Sequence, residues 1–244
     1  AAFPLQWAAT QHNLGAAYSG REAGERADNL ERAIACFEAS LQVYTPATMP
    51  LQWAGALNTL GTVYRKRLAG DRADNLERSI ACFEAAARVF TRAAAPTDWA
   101  DVQNNLAVSY RNRVGGDRAA NIERAIACFE AALQVYTPAA SPLRWARAQN
   151  NLGNACESRG VGDRLENLGR AVGCYRAALA VYTRAVFPVE HRETILNLAF
   201  TQAGRGDWLA AHAAYTSALA AEDALMESSV DLDGRDVILR QGRE

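Results

Sequence analysis

Cysteine is the residue type whose spacing first suggests chemistry. Four cysteines recur every 46 residues, at Cys36, Cys82, Cys128 and Cys174, and a fifth is Cys156. Thiolates around one zinc ion each lie about 2.3 Å from it, and bridged cysteines need Cα atoms within about 7 Å. If the interval reflects stacked helices, equivalent positions are roughly 8–10 Å apart. The spacing therefore favours cysteines that fill a core, and neither a metal site nor a disulfide framework.

Catalysis has little support in the sequence. The histidines are His12, His191 and His212, and none stands at a spacing that would give a triad with a nucleophile. The glycines match neither a P-loop nor a dinucleotide-binding pattern. Close carboxylate pairs such as Asp28 with Glu31 are explained by helix capping. The sequence therefore predicts a protein that is not an enzyme and uses no cofactor.

A 46-residue repeat organises the elements that carry these residues. Equivalent positions in successive copies hold Trp7, Trp53, Trp99 and Trp145, and Pro4, Pro50, Pro96, Pro142 and Pro188. Within the third copy, Trp99, Leu106 and Tyr110 follow the spacing of one helical face, and residues 122–136 carry a second such face. We interpret both recurring faces as packing surfaces. Each copy is thus expected to be a pair of helices, separated from the next pair by a proline.

Two starting points for the second helix of each pair are consistent with the sequence. Asp28 with Glu31, three residues apart before an apolar run, matches an N-cap paired with a reciprocating carboxylate. An earlier N-cap at Asp71, Asp117 or Asp163 would add one turn to the helix. We favour the longer helix.

The apolar and small residues of each copy resemble the tetratricopeptide repeat (TPR) signature. In the first copy this signature is carried by Leu14, Gly15 and Tyr18, then by Ala33 and Phe37. An ordinary TPR has 34 residues, so both connections are expected to be lengthened. The long form, with Gly-Asp-Arg-Ala-x-Asn-Leu-Glu-Arg-Ala, resembles repeats that accompany CHAT peptidase domains in bacterial multidomain proteins. The sequence contains no CHAT catalytic segment.

The TPR resemblance implies an all-α, right-handed superhelix of about five helix–turn–helix repeats. The expected boundaries of the four long repeats are 3–48, 49–94, 95–140 and 141–186. A fifth repeat, with ordinary TPR spacing, is expected at 187–221. Residues 222–244 lack the repeat and are expected to form a capping helix or a linker.

In TPR proteins the first helices of the repeats line a concave groove, and binding is expected there. The resemblance places twelve residues in this groove: Asn13, Asn58, Thr62, Arg65, Asn104, Asn105, Arg111, Arg147, Asn150, Asn151, Asn154 and Asn197. A row of amides could hold the main chain of an extended peptide without requiring a particular sequence. The alternative is that asparagine is simply favoured at this position of the repeat. The arginines predict a weak preference for acidic segments.

Charge and hydropathy narrow the classes of partner. The formal net charge is −1 with both signs interleaved, which argues against a nucleic-acid partner. The sequence has no apolar run long enough to span a membrane, and we expect a cytoplasmic protein. We predict a non-catalytic protein–protein interaction module, the sensor or adaptor part of a larger bacterial protein. Two alternatives stay open: a scaffold that self-associates through its repeat ends, and a regulatory array of an effector enzyme such as a CHAT peptidase.

Overall fold

The structure, a computed structural model, describes residues 3–219, and all regular elements of this part are helices. They are α1 (Pro4–Gly20), α2 (Arg26–Leu41), α3 (Pro50–Lys66), α4 (Arg72–Ala87), α5 (Pro96–Asn112), α6 (Arg118–Leu133), α7 (Pro142–Glu157), α8 (Arg164–Leu179) and α9 (Pro188–Gly204). Residues 208–219 are also helical and are called α10. The predicted all-α class and the pairing of helices are confirmed. The boundaries of the five repeats stay a prediction, and the capping helix or linker predicted at 222–244 lies outside the described residues.

Backbone signals in the sequence set where these helices begin. The five odd-numbered helices α1 to α9 each begin at a proline, whose missing N–H and fixed φ suit the first turn. The side chains of Asp71, Asp117 and Asp163 accept hydrogen bonds from main-chain N–H groups and cap α4, α6 and α8. The longer second helix is therefore confirmed. The later start at Asp28 is wrong, because Asp28 lies inside the first turn of α2.

A recurring network closes the connection between the two helices of a pair. Gly70 has φ +75°, which a residue with a side chain rarely adopts. The buried Asn75 donates from Nδ2 to the Ala69 carbonyl (2.8 Å) and accepts at Oδ1 from Arg67 (3.3 Å). Arg67 also forms two parallel bonds to Glu31 on α2, of 2.7 and 2.8 Å. The network ties the connection to the preceding pair of helices.

The same network recurs 46 residues later and changes in the last pair. Arg113 bonds to Glu77 at 2.7 and 2.8 Å, again in parallel. Gly169 stands at the equivalent position of α8 and offers no carboxylate, and Arg205 lies 3.6 Å from Asp207 instead. The arginine at this position thus pairs with a nearby carboxylate in each of these three connections.

In unit 1, one core cluster joins the second helix of the first pair to the first helix of the next pair. Leu30, Ala33, Ile34 and Phe37 of α2 form one cluster with Leu60, Val63 and Tyr64 of α3. All five cysteines are buried or half-buried, and none of them is joined in a disulfide within the described residues. Trp53 and Trp145 contact buried clusters as predicted. The packing interpretation is wrong for Trp7, which is 42% exposed because no preceding described helix covers α1.

The chain divides into two compact units, which we describe separately. Unit 1 ends at Tyr136 and contains α1 to α6, and unit 2 starts at Thr137 and contains α7 to α10. In unit 1, α3 approaches both α1 and α5 with Cα atoms within 8 Å, whereas none of the described residues of α4 comes this close to α2 or α6. The odd-numbered helices therefore form the tighter, inner layer of unit 1. In unit 2, α7 approaches α9 in the same way.

Candidate functional site

One side of α3 carries a stripe of residues that points away from the core. The stripe consists of Leu51, Gly55, Asn58, Thr62 and Arg65, spaced by four and three residues, so that they share one helical face. Leu60 and Tyr64, which are buried, lie on the opposite side of α3. We call the surface formed by this stripe and its counterparts on α1 and α5 the inner face of unit 1.

The structure brings two predicted groove residues into direct contact: Asn58 on the inner face, and Asn105, which lies beside this face at the position of Thr59. Asn105 of α5 donates a hydrogen bond from Nδ2 to Oδ1 of Asn58 on α3, at 3.0 Å. Thr62 uses its hydroxyl within the helix, donating to the carbonyl of Asn58 at 3.2 Å. The amide pair fixes α3 and α5 relative to each other and leaves the other amide hydrogen of Asn105 for a further bond.

Buried acceptor atoms without a hydrogen-bond partner recur at one position of the repeat. Among the described residues, His12 Nδ1, Asn104 Oδ1 and Asn150 Oδ1 are buried and make no hydrogen bond, and all three occupy the position that Asn58 occupies in α3. Burial lowers the pKa of His12, whose ring packs edge-on against Phe37 at 5.3 Å. An unmet buried polar group costs roughly 1–3 kcal/mol. These groups are poorly satisfied by the fold itself.

Arg65 ends the α3 stripe as a half-buried cation. Its Nε is buried and has no hydrogen-bond partner among the described residues. Burial, and then the positive charges of Arg72 and Arg111, lower the pKa of the Arg65 guanidinium. Arg111 occupies the equivalent position on α5. This end of the inner face is therefore positively charged.

The other predicted groove residues have different surroundings. Asn13 is exposed on α1, whereas Asn151 and Asn197 are half-buried on α7 and α9 of unit 2. Asn154 accepts a hydrogen bond from the Tyr175 hydroxyl at 2.8 Å, so its oxygen already serves packing within unit 2. Burial raises the pKa of the Tyr182 hydroxyl, and a hydrogen bond from the exposed Arg147 opposes this rise.

Sequence reasoning missed two cavities beside the α3 stripe. The larger, about 610 Å³, is lined by Leu51, Gln52, Gly55, Phe90, Ala94, Ala95 and Asp98. The smaller, about 160 Å³, is lined by Ala9, His12, Asn13, Tyr44, Gln52 and Gly55. Gly55 lines both, and a Cβ added there would meet no atom within 4 Å. The sequence did contain a signal for these cavities, which is the glycine at position 55. The equivalent positions of the other long copies hold residues with side chains: Ala9, Asp101 and Arg147.

The all-helical repeat has relatives among known protein families. The family model of soluble NSF attachment protein (SNAP) matches residues 71–231, more than half of the chain. The chain belongs to the SNAP family. A search of curated proteins finds no significant match to this SNAP-family chain.

Solved structures share the fold at low sequence identity. The apo form of RapI superposes with a TM-score of 0.71 at 13% identity, covering 92% of this chain and 73% of RapI. BtubC (BKLC) from P. vanneervenii gives 0.63 at 17%, covering 91% and 92%. A putative kinesin light chain of Podosopora anserina with nearly identical TPR-like repeats gives 0.63 at 14%, covering 92% and 98%. The SNAP-family chain therefore has the fold of these helical repeat proteins.

These similarities confirm the coarser part of the resemblance drawn from the sequence. An α-helical repeat of the TPR-like type is confirmed by the family and the fold. The long variant associated with CHAT peptidases stays a prediction. None of the helices in the described residues is long and apolar enough to cross a membrane.

Proposed function

We propose that this SNAP-family chain is a non-catalytic module that holds a polypeptide segment on the inner face of unit 1. The segment would lie across α1, α3 and α5 and exchange main-chain hydrogen bonds with the amides at Asn58, Asn104 and Asn105. In this proposal the module is the adaptor or sensor part of a larger bacterial protein in the cytoplasm.

The observation that carries the proposal is the set of unmet polar atoms on the inner face. Asn104 Oδ1 and His12 Nδ1 are buried without a hydrogen-bond partner in the described part of the chain. Folded proteins satisfy the great majority of such groups, and the exceptions call for an explanation. A bound main chain supplies both N–H and C=O groups, and rotation of an asparagine amide presents either its oxygen or its nitrogen.

Two further observations favour a protein ligand. The inner layer of unit 1 is the tighter layer of a curved stack, and stacks of this kind use the inside of the curve for extended partners. The family is named for a protein that attaches to another protein, NSF. The charge at Arg65 and Arg111 favours acidic segments over basic ones.

The proposal is tested by deleting amides on the inner face. Asn104→Ala with Asn105→Ala removes two amides from α5, and Gln42→Ala removes one from the exposed C-cap of α2 as a matched control. Proteins retained from extracts of the producing cells by immobilised chain are quantified by mass spectrometry. We expect the double variant to lose at least one partner about tenfold while Gln42→Ala retains it. Equal recovery of every partner by all three proteins would contradict the proposal.

A second candidate function, self-association, is favoured by exposed apolar side chains at the first and last described helices. Leu14 of α1 is 41% exposed, whereas its counterpart Leu60 is 4% exposed because α2 covers it. Trp208 of α10 is also exposed. Light scattering across a hundredfold range of concentration tests this candidate. A mass that stays at one chain contradicts it, and growth that Leu14→Glu abolishes supports it.

A further inference from the structure

Two arginines near the end of α3 differ in their partners. Arg67 forms two parallel hydrogen bonds with the carboxylate of Glu31, at 2.7 and 2.8 Å. Arg65, two residues earlier, has no carboxylate partner among the described residues, and its Nε is buried without a hydrogen bond. Burial of a charge is costly unless an opposite charge or hydrogen bonds compensate it. The fold supplies such compensation for Arg67, but the described residues supply no carboxylate for Arg65.

The charged groups that act on Arg65 are themselves positive, so they do not compensate its charge. A guanidinium nitrogen of Arg72 donates to the main-chain carbonyl of Arg65, which places this second cation at the end of α3. Arg111, on the neighbouring α5, acts on Arg65 with the same sign of charge. An anion bound at this point would relieve repulsion among the three guanidinium groups.

The internal repeat separates a structural arginine from a variable one. The position of Arg67 is arginine in each of the four long copies: Arg21, Arg67, Arg113 and Arg159. The position of Arg65 changes from copy to copy: Ser19, Arg65, Arg111 and Glu157. A helix pair of this type therefore folds without a cation at the position of Arg65. Packing of the repeat does not explain Arg65.

We propose that Arg65 is the anchor for a carboxylate of the bound polypeptide, with Arg72 and Arg111 strengthening the field around it. This inference rests on the proposed function, because it assigns one contact within the inner face. The Arg67–Glu31 pair shows the geometry that the ligand would reproduce, a carboxylate bound by the planar fork of a guanidinium. An aspartate or glutamate side chain and a C-terminal carboxylate offer the same chemistry.

Three fluorescein-labelled peptides of eight residues separate the two sources of the carboxylate. The first is (Glu-Ala)4 with an amidated C-terminus, the second is (Gln-Ala)4 with an amidated C-terminus, and the third is (Gln-Ala)4 with a free C-terminal carboxylate. Fluorescence anisotropy gives their affinities for the whole chain. We expect the first or the third peptide to bind about tenfold more tightly than the second, and the tighter one identifies the source.

Matched variants assign this preference to Arg65. Arg65→Gln is expected to abolish the preference, and Arg65→Lys is expected to keep part of it, because a lysine retains the charge without the fork. Arg88→Gln removes the same charge from the exposed C-cap of α4 and is expected to change the affinities less than twofold. Unchanged thermal unfolding of each variant shows that the chain still folds.

Four results would overturn the assignment. They are a preference that survives in Arg65→Gln, equal affinity for all three peptides, no binding of either carboxylate peptide, and displacement of the carboxylate peptides by equimolar inorganic phosphate. Equal affinities that are all lost in Asn104→Ala with Asn105→Ala would leave the proposed function standing and remove the anchor alone. Equal affinities that this double variant does not change would contradict both.

Discussion

Polar side chains are hydrogen-bonded in the connections within helix pairs, whereas several on the inner face of unit 1 are buried without a hydrogen bond within the described residues. In the connection between α3 and α4, Arg67, Asn75 and Glu31 are linked by hydrogen bonds of 2.7–3.3 Å. On the inner face, Arg65 Nε and Asn104 Oδ1 are buried and have no such partner among the described residues. The first region uses its polar groups to hold the fold, whereas the second leaves polar groups unbonded, and we propose that a ligand bonds to them.

The internal repeat supports this division. The position of Asn75 is occupied in the four long copies by Asn29, Asn75, Asn121 and Asn167, and all four are buried. The position of Asn104 is occupied by His12, Asn58, Asn104 and Asn150. The residue that closes each connection is the same in all four copies, whereas the inner-face position is histidine in the first copy and asparagine in the other three. Four predictions test this difference.

Removal of the hydrogen-bonded amide of Asn75 gives the largest expected loss of stability. Asn75→Ala leaves the Ala69 carbonyl without its donor and deprives Arg67 of an acceptor in a buried site. We expect the free energy of unfolding, measured by urea denaturation, to fall by about 2 kcal/mol. Asn112→Ala, at the exposed end of α5, is the control. A loss no larger than that of the control would show that the network does not hold the connection.

Alanine at two glycines is expected to change stability in opposite directions. Gly70→Ala forces a side chain into the left-handed region and should cost about 1–2 kcal/mol. Gly55→Ala places a methyl group on a helical residue with open space around it and should add about 0.5–1 kcal/mol. Urea denaturation of the two variants checks both signs. Destabilisation by Gly55→Ala would contradict the open space around this residue, because it would mean that the added methyl group meets neighbouring atoms.

The pair of Glu31 with Arg67 makes a small and pH-dependent contribution. The hydrogen bond from Arg67 lowers the pKa of Glu31 below its ordinary value of 4.5. The stabilisation is therefore present above that value and is lost as the pH falls through the lower pKa of the folded chain. Because the two side chains are 40% and 23% exposed, we expect it to stay below about 1 kcal/mol at pH 7. The difference in urea midpoint between wild type and Glu31→Gln should shrink from pH 7 to pH 3, and a constant difference would contradict the pairing.

The smallest expected effect on stability belongs to the inner face. Asn104→Ala removes a buried oxygen that has no partner together with its cost to the fold, so the free energy of unfolding should fall by less than about 0.5 kcal/mol. The same urea denaturation as for Asn75→Ala gives the direct contrast between the two regions. A loss as large as that of Asn75→Ala would assign Asn104 to the fold and not to a ligand.

The helices could be predicted well because their signals are local. A proline at the first turn of each odd-numbered helix and an aspartate before α4, α6 and α8 act on the backbone a few residues away. The 46-residue interval then fixed which helices correspond. The exposure of Trp7 was not predictable, because it depends on whether a helix precedes α1 in space.

The inner face could be predicted only as a set of positions. The family resemblance placed Asn58, Arg65 and Asn105 on the first helices of their repeats, and the structure has them there. It did not predict the bond between Asn105 and Asn58 or the pairing of Arg67 with Glu31, which join residues 47 and 36 positions apart. Such contacts depend on the distance between neighbouring helices, which residue spacing does not give.

The most direct test places a photocrosslinking residue, p-benzoylphenylalanine, on each side of unit 1. One variant carries it at Leu51, exposed in the α3 stripe, and the other at Ala81, exposed on α4. Each is irradiated in extracts of the producing cells, and the crosslinked peptides are identified by mass spectrometry. The account predicts a partner polypeptide joined at Leu51 and not at Ala81. Crosslinking from Ala81 alone, or equally from both positions, would contradict a binding site on the inner face.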